Sequence, residues 1–303
     1  MYNEISCVNK TVSKIVCAVK EIFCDSIVAN AFVYLSFGRV LNRNWGDDIN
    51  YYFLSLLFRK SIIAYDYSSI SHRLEKNNYM MIGSSITLLC NRKTVIWGSG
   101  VIDPEAELPA RPKKVLAVRG PLTRQYLIDR GVECPAIYGD PALLLPYVYV
   151  PKVSKKYKLG IVPHYSDFDS VALNNLRKRN DVLMIRMEGY NQWTDVIDQI
   201  NSCECIISSS LHGLIVAEAY GVPSQWISVD GKLLGGNYKF LDFYASIGKE
   251  HVAPIKVNET TELDYLCEKA FEWKKGHLNL EPMVKACPFK MYFSSSSNLH
   301  LFI

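Results

Sequence analysis

The residues best suited to chemistry lie at positions 208 to 221, SSSLHGLIVAEAYG, where three serines precede a histidine. The run CECIIS before them is short and β-rich, and an apolar run follows until Gly221 and Pro223. This order predicts a strand, a tight turn and a buried helix, with His212 in the first helical turn. SQWISV then predicts a second strand, which completes a βαβ unit. Ligands of open α/β sheets bind at the carboxyl ends of strands, where His212 is expected.

Anion binding is the chemistry that this position favours. A helix N-terminus offers free N–H groups and a positive dipole, so Ser208, Ser209 and Ser210 would complete a cradle for an anion. The same dipole lowers the pKa of His212, and a bound anion restores it. We therefore expect His212 to become a competent acid when an anionic substrate arrives. Serine caps beside a space-filling histidine are the structural alternative.

Two further polar loops are predicted to converge on the same cleft. NWGDD (44–48) offers Asn44, Asp47 and Asp48, although capping of the next helix would explain one carboxylate. WGSG (97–100) permits close backbone approach to a ligand, but the full GxGxxG fingerprint is absent, which argues against a dinucleotide.

Arg119 follows the strand VLAV and precedes a helix that Pro121 begins. Its planar guanidinium suits a carboxylate or phosphate, and an ion pair with Asp129, Glu133 or Asp140 is the alternative.

Four more residues have chemistry without a fixed partner. His164 ends a predicted strand and could reach the cleft, although a lone histidine is more often structural. Glu218 stands among apolar residues and needs a partner or a ligand hydroxyl. Lys239 and Asp242 follow a Gly-Gly pair, so we expect a mobile loop that closes on the site, with a solvated lysine as the alternative.

Composition indicates a globular protein. The 303 residues are 49% hydrophobic and 21% charged, which is enough for two ordinary α/β domains. The formal charge of +4 is too mild to indicate a nucleic-acid partner, although it fits anionic small ligands or a lipid surface. Nine cysteines without a CxxC pair predict reduced thiols, a cytoplasmic protein and no metal site.

The alternation of strand and helix patterns predicts an α/β fold with mostly parallel sheets. Its expected form is two Rossmann-like domains that face a cleft, with an extra N-terminal amphipathic helix. The lysine- and proline-containing stretch 147–158 is the best linker. The predicted division is an N-terminal helix (1–26), an N-terminal domain (27–150), a C-terminal domain (151–285) and a C-terminal tail (286–303).

The N-terminal helix has a hydrophobic repeat with alternating spacings of three and four, and its lysines fall on other faces. We favour a helix docked on its own domain or on a dimer mate. A helix on the inner surface of a membrane is the alternative. Charged residues interrupt the longest apolar stretch, so we expect no membrane span and no signal peptide. The repeat consists of Ile5, Val8, Val12, Ile15, Val19 and Ile22, and the lysines are Lys10, Lys14 and Lys20.

Taken in order, NWGDD, WGSG, AVRGPLTRQYL, YGDPALLLP, SSSLHGLIVAEAYGVP and NYKFLDFY resemble the polysaccharide pyruvyl transferases, from about residue 30 to about residue 250. The resemblance implies two Rossmann-like domains similar to the GT-B glycosyltransferases. It also implies phosphoenolpyruvate as donor, no cofactor and no metal. The acceptor would be a hexose of an exopolysaccharide, a capsule or a lipid-linked precursor. The product would be a pyruvate ketal, and phosphate would be released.

Site roles follow from this resemblance together with the cleft. His212 matches the family's histidine, and Arg119 matches a basic residue of the donor pocket. The family often has an arginine where this chain has Ser210, so either Lys239, Lys232 or Arg119 compensates or the donor geometry differs. We expect His212 as general acid and Asp47 or Asp48 as base.

The remaining expected roles divide between donor and acceptor. The C-terminal domain is expected on the donor side and the N-terminal domain on the acceptor side. The donor residues are Arg119, Ser208, Ser209, Ser210, Lys239, Gly98, Ser99 and Gly100. The acceptor residues are Asn44, Trp45, His164 and Glu218.

Two other functions remain open from sequence. One is a GT-B glycosyltransferase that uses a nucleotide sugar, in which Glu218 would hold ribose hydroxyls. The other is a non-catalytic protein of the same fold that binds a sugar or an anion.

Overall fold

The computed structural model describes residues 7–229 and 236–294, and Lys232 and Ile5 therefore lie outside the described residues. The fold is mixed α/β, as predicted. The helices are α1 (Cys7–Phe23), α2 (Trp45–Phe58), α3 (Ile70–Arg73), α4 (Ile86–Leu89), α5 (Pro121–Asp129), α6 (Asn174–Arg177), α7 (Trp193–Asn201), α8 (Leu211–Tyr220), α9 (Tyr238–Ser246), α10 (Leu263–Phe271) and α11 (Glu281–Ala286). The strands are β1 (Ser26–Ala29), β2 (Leu35–Ser36), β3 (Arg39–Val40), β4 (Ser61–Ala64), β5 (Asn78–Met80), β6 (Thr94–Trp97), β7 (Lys114–Ala117), β8 (Tyr157–Val162), β9 (Val182–Met184), β10 (Cys203–Ser208), β11 (Ser224–Ser228) and β12 (Ile255–Lys256).

Two five-stranded parallel sheets organise the chain. The N-terminal sheet has the order β4-β1-β5-β6-β7, and the C-terminal sheet has the order β12-β11-β10-β8-β9. Numbered by entry along the chain, both orders are 2-1-3-4-5, a doubly wound arrangement. The strand order of such a sheet reverses between its first and third strands, and a crevice opens there. These switch points lie between β1 and β5 and between β8 and β10.

The serine-histidine stretch forms the predicted βαβ unit. Strand β10 pairs in parallel with β11, and α8 connects them. Helix α8 ends where Gly221 adopts a left-handed conformation with φ of 69°, which glycine adopts without steric cost. Helix α2 begins at Trp45, because the Asn44 side chain accepts a hydrogen bond from Gly46 N and caps the helix.

Two stretches with the pattern of a strand form other structures. The run NAFVYLSF (30–37) is β-rich, but β1 ends at Ala29 and a hairpin of β2 and β3 follows. The Asn30 side chain bonds Asn78 and the carbonyl of Leu89 at that point. The run AIYGDPALLLP (136–146) is typical of a strand and a turn, but its second half forms a 3₁₀ helix (Pro141–Tyr147), which the Asp140 carboxylate caps at Ala142 N.

The two sheets share one apolar core, in which Trp97 of β6 and Ile206 of β10 belong to the same cluster. Polar contacts also join the two parts of the chain. Trp45 donates from its backbone to Met187 O and from its indole to Trp193 O, at 2.7 and 2.6 Å. The C-terminal segment returns to the N-terminal sheet, where Phe289 packs on Phe58 with ring centroids 5.2 Å apart.

Helix α1 docks on the N-terminal part of its own chain, as we favoured, but it does so through the side opposite its apolar repeat. Ser13, Cys17 and Glu21 are buried, whereas the apolar repeat that contains Ile15 and Val19 is exposed. The Glu21 carboxylate accepts hydrogen bonds from Ser68 Oγ and Ser71 N and fixes the helix. Among the described helices, none combines the length and hydropathy that a membrane span requires.

Candidate functional site

A cleft of about 360 Å³ lies across both switch points. Its walls come from both sheets: the N-terminus of α2, the loop after β5, the loop after β8, the N-terminus of α8 and one face of α9. Six of the residues that the sequence singled out therefore lie together around one cleft. The candidates that line the cleft are Asn44, Asp47, His164, Ser210, His212 and Lys239.

The three serines have different partners. Ser208 Oγ donates to the backbone at Val162, and Ser209 Oγ donates to Asp167 Oδ2 at 2.7 Å. Both hydroxyls thus hold the turn together and do not line the cleft. Ser210 lines the cleft as the N-cap of α8, and its side chain does not cap the helix. The Ser210 side chain therefore leaves the first amides of α8 without a cap, and together with the Ser210 hydroxyl they can donate hydrogen bonds to an anion.

His212 lies between the two parts of the chain. A Cβ added to Gly46 would stand 2.1 Å from His212 Nδ1, so the imidazole packs on the first turn of α2. Its Nε2 atom is buried and has no hydrogen-bond partner among the described residues. Burial, the Arg119 guanidinium and the Lys239 ammonium lower the pKa of His212 to about 3. The ring is therefore neutral near pH 7 until an anion binds.

Lys239 is a buried cation that lines the cleft, together with the less buried Arg43. It is 8% exposed and makes no hydrogen bond or ion pair with the described residues. Burial and the Arg119 charge lower the pKa of Lys239 to about 8, whereas Asp47 and Asp167 oppose this shift. Lys239 and Asp242 lie on helix α9 rather than on the expected mobile loop. A buried cation without a bonded anion is suited to an anionic ligand.

Asp47 and Asp48 have separate environments. Asp47 lines the cleft and accepts a hydrogen bond from Asn44 Nδ2 at 2.6 Å. Burial and then the Asp48 charge raise the pKa of Asp47 to about 7, although Lys239 and Asn44 lower it. Asp48 is buried away from the cleft lining, and its Oδ2 accepts from Tyr190 Oη at 2.8 Å. Burial raises the pKa of Asp48 to about 6.

His164 lines the cleft and contacts a series of hydrogen-bonded polar side chains. Its Nδ1 contacts Ser166 Oγ at 2.8 Å, and Ser166 donates to Asp167 Oδ1 at 3.0 Å. Burial and the Lys239 charge lower the pKa of His164 to about 4. The neutral ring can therefore exchange hydrogen bonds with a ligand hydroxyl, as its expected acceptor role requires.

Arg119 forms a fully buried ion pair instead of lining the cleft. Its Nε donates to Asp242 Oδ2 at 3.0 Å, and Nη2 donates to Val101 O at 2.9 Å. Nη1 donates to Ser84 Oγ, which does line the cleft. The partner of Arg119 is thus none of the three carboxylates that the sequence suggested, Asp129, Glu133 and Asp140. Asp140 Oδ1 instead accepts from Ala142 N. Arg119 thus acts on the cleft through its charge and through Ser84.

The glycine loop after β6 supports Arg119. A Cβ added to Gly100 would lie 2.3 Å from Arg119 Cζ, so only glycine leaves room for the guanidinium. Ser99 Oγ donates to Gly83 O, and Gly98 packs against Pro141. None of these three residues lines the cleft, so direct donor contact does not follow from their positions.

Two expected acceptor residues also lie elsewhere. Trp45 is fully buried. Glu218 is 1% exposed and accepts hydrogen bonds from Lys249 Nζ, Trp273 Nε1 and Gly276 N, at 2.6, 2.9 and 2.6 Å. Glu218 is therefore paired within the protein, whereas the sequence had left open either a protein partner or a ligand hydroxyl.

Sequence reasoning missed several lining residues. Ser84 and Ser85 lie in the loop after β5 at the switch point, and their place beyond the end of a strand was the available signal. Glu188, Tyr165 and Arg43 also line the cleft. They lie outside the α-helices and strands, so the sequence pattern does not indicate the direction of their side chains. Within residues 7–229 and 236–294, no cluster of three potential metal ligands is found, and the metal-free site remains a prediction.

Comparisons with known proteins agree with the sequence motifs. A protein-family model described as polysaccharide pyruvyl transferase matches residues 32–231. The chain is 30% identical over 213 residues to "Uncharacterized protein L143" of Acanthamoeba polyphaga mimivirus, which covers 68% of this chain and 72% of the relative. It is 27% identical over 180 residues to "Succinoglycan biosynthesis protein ExoV" of Rhizobium meliloti (strain 1021), which covers 55% of this chain and 51% of that protein. The chain thus spans about half the length of the second relative.

Proposed function

Because this chain belongs to the polysaccharide pyruvyl transferase family, we propose that it transfers the pyruvyl group of phosphoenolpyruvate to a hexose. The hexose belongs to a polysaccharide or to a lipid-linked precursor, and the product is a pyruvate ketal. A relative named for succinoglycan biosynthesis supports a saccharide acceptor. Phosphoenolpyruvate is a co-substrate, and the residues of the cleft supply the remaining chemistry.

The proposed architecture is two Rossmann-like domains in a GT-B-like arrangement, with the donor on the C-terminal side. Two sheets of the same doubly wound order support this proposal. The cleft across both switch points supports a reaction between a donor held by one sheet and an acceptor held by the other.

The observation that carries the function is the buried Lys239, which has no ion-pair partner within residues 7–229 and 236–294 and lines the same cleft as the N-terminus of α8. Phosphoenolpyruvate carries a carboxylate and a phosphate, and both need positive charge when water is excluded. Lys239, the Ser210 hydroxyl and the first amides of α8 can bind one such group together. Lys239 then supplies the cation that the family often has as arginine at the position of Ser210.

His212 is the proposed general acid. The donor becomes electrophilic at its enol carbon only when its methylene carbon is protonated. A bound anion raises the pKa of the neighbouring imidazole from its low value in the empty cleft, so His212 gains a proton as the donor binds. The unpartnered Nε2 atom is the nitrogen available to deliver it.

Asp47 is the proposed base, since it lines the cleft and Asp48 does not. One sugar hydroxyl forms a bond to the enol carbon and gives its proton to ionised Asp47. The bond between that carbon and the phosphate oxygen then breaks, and a second hydroxyl closes the ketal. The two sugar hydroxyls lose two protons in total. One of them restores the proton that His212 gave to the methylene carbon, and the other leaves with phosphate.

A transfer assay tests the proposal. The full chain is incubated with radiolabelled phosphoenolpyruvate and a panel of hexosides, while label in the saccharide and released phosphate are measured together. We expect both in equal amounts, and His212→Ala should reduce turnover by about two to four decades. Phosphate release only with nucleotide sugars would assign the chain to the glycosyltransferases instead. An unchanged ligand affinity and biological output in His212→Ala, without any turnover, would indicate a binding protein.

The glycosyltransferase alternative is weakened by Glu218. That proposal needs a carboxylate free to hold ribose hydroxyls, but Lys249, Trp273 and Gly276 engage both Glu218 oxygens in the interior. Glu218 is therefore expected to stabilise the fold.

A further inference from the structure

The loop after β8 holds a histidine, a serine and an aspartate in one series of contacts. His164 Nδ1 lies 2.8 Å from Ser166 Oγ, and Ser166 Oγ lies 3.0 Å from Asp167 Oδ1. Asp167 is 3% exposed, and its other oxygen accepts from Ser209 Oγ at 2.7 Å. Ser209 Oγ in turn accepts from the His164 amide at 2.9 Å. Asp167 thus holds both the ring and the backbone of His164 through two hydroxyls.

The hydrogen positions in this series follow from the chemistry of Asp167. A carboxylate only accepts hydrogen bonds, and a serine hydroxyl has a single proton to donate. Ser166 gives that proton to Asp167, so the Ser166 oxygen accepts from His164 Nδ1. The Ser166 amide also approaches Nδ1, but its distance of 3.4 Å exceeds the usual range of about 2.7–3.2 Å. The proton of the neutral ring is therefore on Nδ1, and Nε2 carries a lone pair.

Nε2 is the ring nitrogen that this series leaves available. It makes no hydrogen bond to the residues in 7–229 and 236–294, and the ring lines the cleft. Asp47, the proposed base, lines the same cleft. Burial and the Lys239 charge lower the pKa of His164 to about 4, whereas Asp167 opposes this shift. The ring is therefore neutral near pH 7, and its lone pair can accept a proton.

A ketal-forming reaction needs more than one proton acceptor. Asp47 takes the first proton when one sugar hydroxyl bonds to the enol carbon, and it is occupied when phosphate leaves. The second hydroxyl then attacks the resulting oxocarbenium carbon. Its proton becomes strongly acidic as the new C–O bond forms, so a neutral imidazole suffices as the acceptor.

We propose that His164 Nε2 accepts the proton of the second sugar hydroxyl, and that Ser166 and Asp167 position the ring for this step. The inference rests on the proposed function and adds a catalytic residue to it. The second hydroxyl oxygen forms a bond to the former enol carbon while its O–H bond breaks. The electron pair of that O–H bond stays on the oxygen, which becomes the second ketal oxygen. The imidazolium then passes the proton to the departing phosphate.

Loss of this acceptor should change the fate of the intermediate. When the second hydroxyl cannot lose its proton, water captures the oxocarbenium carbon, and the hemiketal that forms breaks down to pyruvate and unmodified hexose. The wild type should release one phosphate for each pyruvyl group in the saccharide. His164→Gln keeps an amide that can bind a hydroxyl but cannot take up its proton, so this ratio should rise at least about tenfold. Free pyruvate, measured with lactate dehydrogenase, should account for the excess.

Variants of Ser166 test the positioning role. Ser166 is exposed, so Ser166→Ala removes the link to Asp167 without disturbing the core. It should raise the ratio of phosphate to ketal less than His164→Gln does, and Ser166→Thr, which keeps a hydroxyl, should restore the wild-type ratio. His72→Gln is the matched control, because His72 is exposed and does not line the cleft. A ratio that stays at the wild-type value in His164→Gln, with only a higher KM for the hexoside, would overturn the inference.

A second measurement does not depend on the reaction. Nitrogen NMR of the isotope-labelled full chain shows which ring nitrogen carries the proton near pH 7, and the spectrum of His164→Gln identifies the signals of His164. We expect the proton on Nδ1 in the wild type and a larger fraction on Nε2 in Ser166→Ala. A proton on Nε2 in the wild type would overturn the inference even when transfer is observed.

The inference and the proposed function fail in different ways. If neither label nor phosphate is transferred or released from phosphoenolpyruvate with any hexoside, both are wrong. If the wild type and His164→Gln both release phosphate and label the saccharide in equal amounts, the proposed function holds and only the role of His164 is wrong.

Discussion

The imidazole of His212 lies directly on Gly46, and a Cβ at residue 46 would stand 2.1 Å from its Nδ1 atom. The two residues come from the first turns of α8 and α2, so each helix fixes the other's contribution to the cleft. Gly46→Ala is expected to displace the ring and to lower kcat by at least about two decades, within the range for loss of a positioned acid. Steady-state transfer kinetics measure the effect.

A double variant separates displacement of the ring from general damage. In Gly46→Ala/His212→Ala the clash is absent, so the second substitution should add little to the loss that His212→Ala causes. Alanine also favours a helix more than glycine does, so the double variant should unfold no earlier than His212→Ala. Additive losses in kcat would show that the contact does not position the ring.

Lys239 gives a prediction on donor affinity. Lys239→Gln removes the buried cation without changing the length of the side chain greatly. We expect KM for phosphoenolpyruvate to rise by about tenfold to a hundredfold, since hydrogen bonds to charged groups contribute about 1.5–3 kcal/mol. Kinetics at saturating acceptor measure this change.

Ser210→Arg supplies the control for Lys239. Added to Lys239→Gln, it restores a cation where the family often has arginine, and it should recover part of the donor affinity. Lys158→Gln, at a half-buried position on β8 that does not line the cleft, should leave KM unchanged. An unchanged KM in Lys239→Gln would remove Lys239 from the donor site.

Asp47 should make the protein less stable as the pH rises. Its pKa is raised to about 7 in the folded protein, whereas an unfolded aspartate has a pKa of about 3.9. The folded state therefore holds the proton more tightly, and the penalty grows between about pH 4 and pH 7 and stays constant above. Asp47→Asn should raise Tm more at about pH 8 than at about pH 5.

Exposed Asp129 is the matched control for this measurement. Asp129→Asn should give the same small change in Tm at both pH values. Asp47→Asn should also lose about two decades or more in kcat, because the base is gone while the fold is stabilised. A stabilisation of equal size at both pH values would contradict the raised pKa of Asp47.

Local sequence signals predicted the C-terminal site well. The β10-α8-β11 unit has a short apolar strand, an N-cap serine and a terminal glycine, and each signal acts within a few residues. His212 and Ser210 therefore lie where the sequence indicated. The partner of Arg119 could not be read in this way, because Asp242 is 123 residues away in the chain.

The direction of α1 shows a second limit of sequence patterns. Its apolar repeat indicated a buried face, but polar groups of Ser13 and Glu21 dock the helix instead. Periodicity does not detect the hydrogen bonds that Glu21 accepts from Ser68 and Ser71, because these donors lie 47 and 50 residues further along the chain. Likewise, the ion pair between Glu218 and Lys249 forms only when the chain folds, so the sequence pattern did not indicate it.

The Arg119–Asp242 ion pair gives the last prediction, which separates support of the cleft from donor binding. Both side chains are fully buried, and Asp242 also accepts from Thr123 N and Thr123 Oγ1. Asp242→Asn leaves the guanidinium without its counter-charge, and such a loss typically costs about 3–5 kcal/mol of unfolding free energy. Urea unfolding measures this cost.

Since Arg119 holds Ser84 at the cleft, Asp242→Asn should also lower kcat, with a smaller change in KM for phosphoenolpyruvate than Lys239→Gln. Lys249→Gln, which breaks the other buried pair at Glu218, should destabilise the fold without lowering kcat at temperatures where the variant stays folded. A large rise in KM with unchanged stability in Asp242→Asn would instead indicate that Arg119 binds the donor directly.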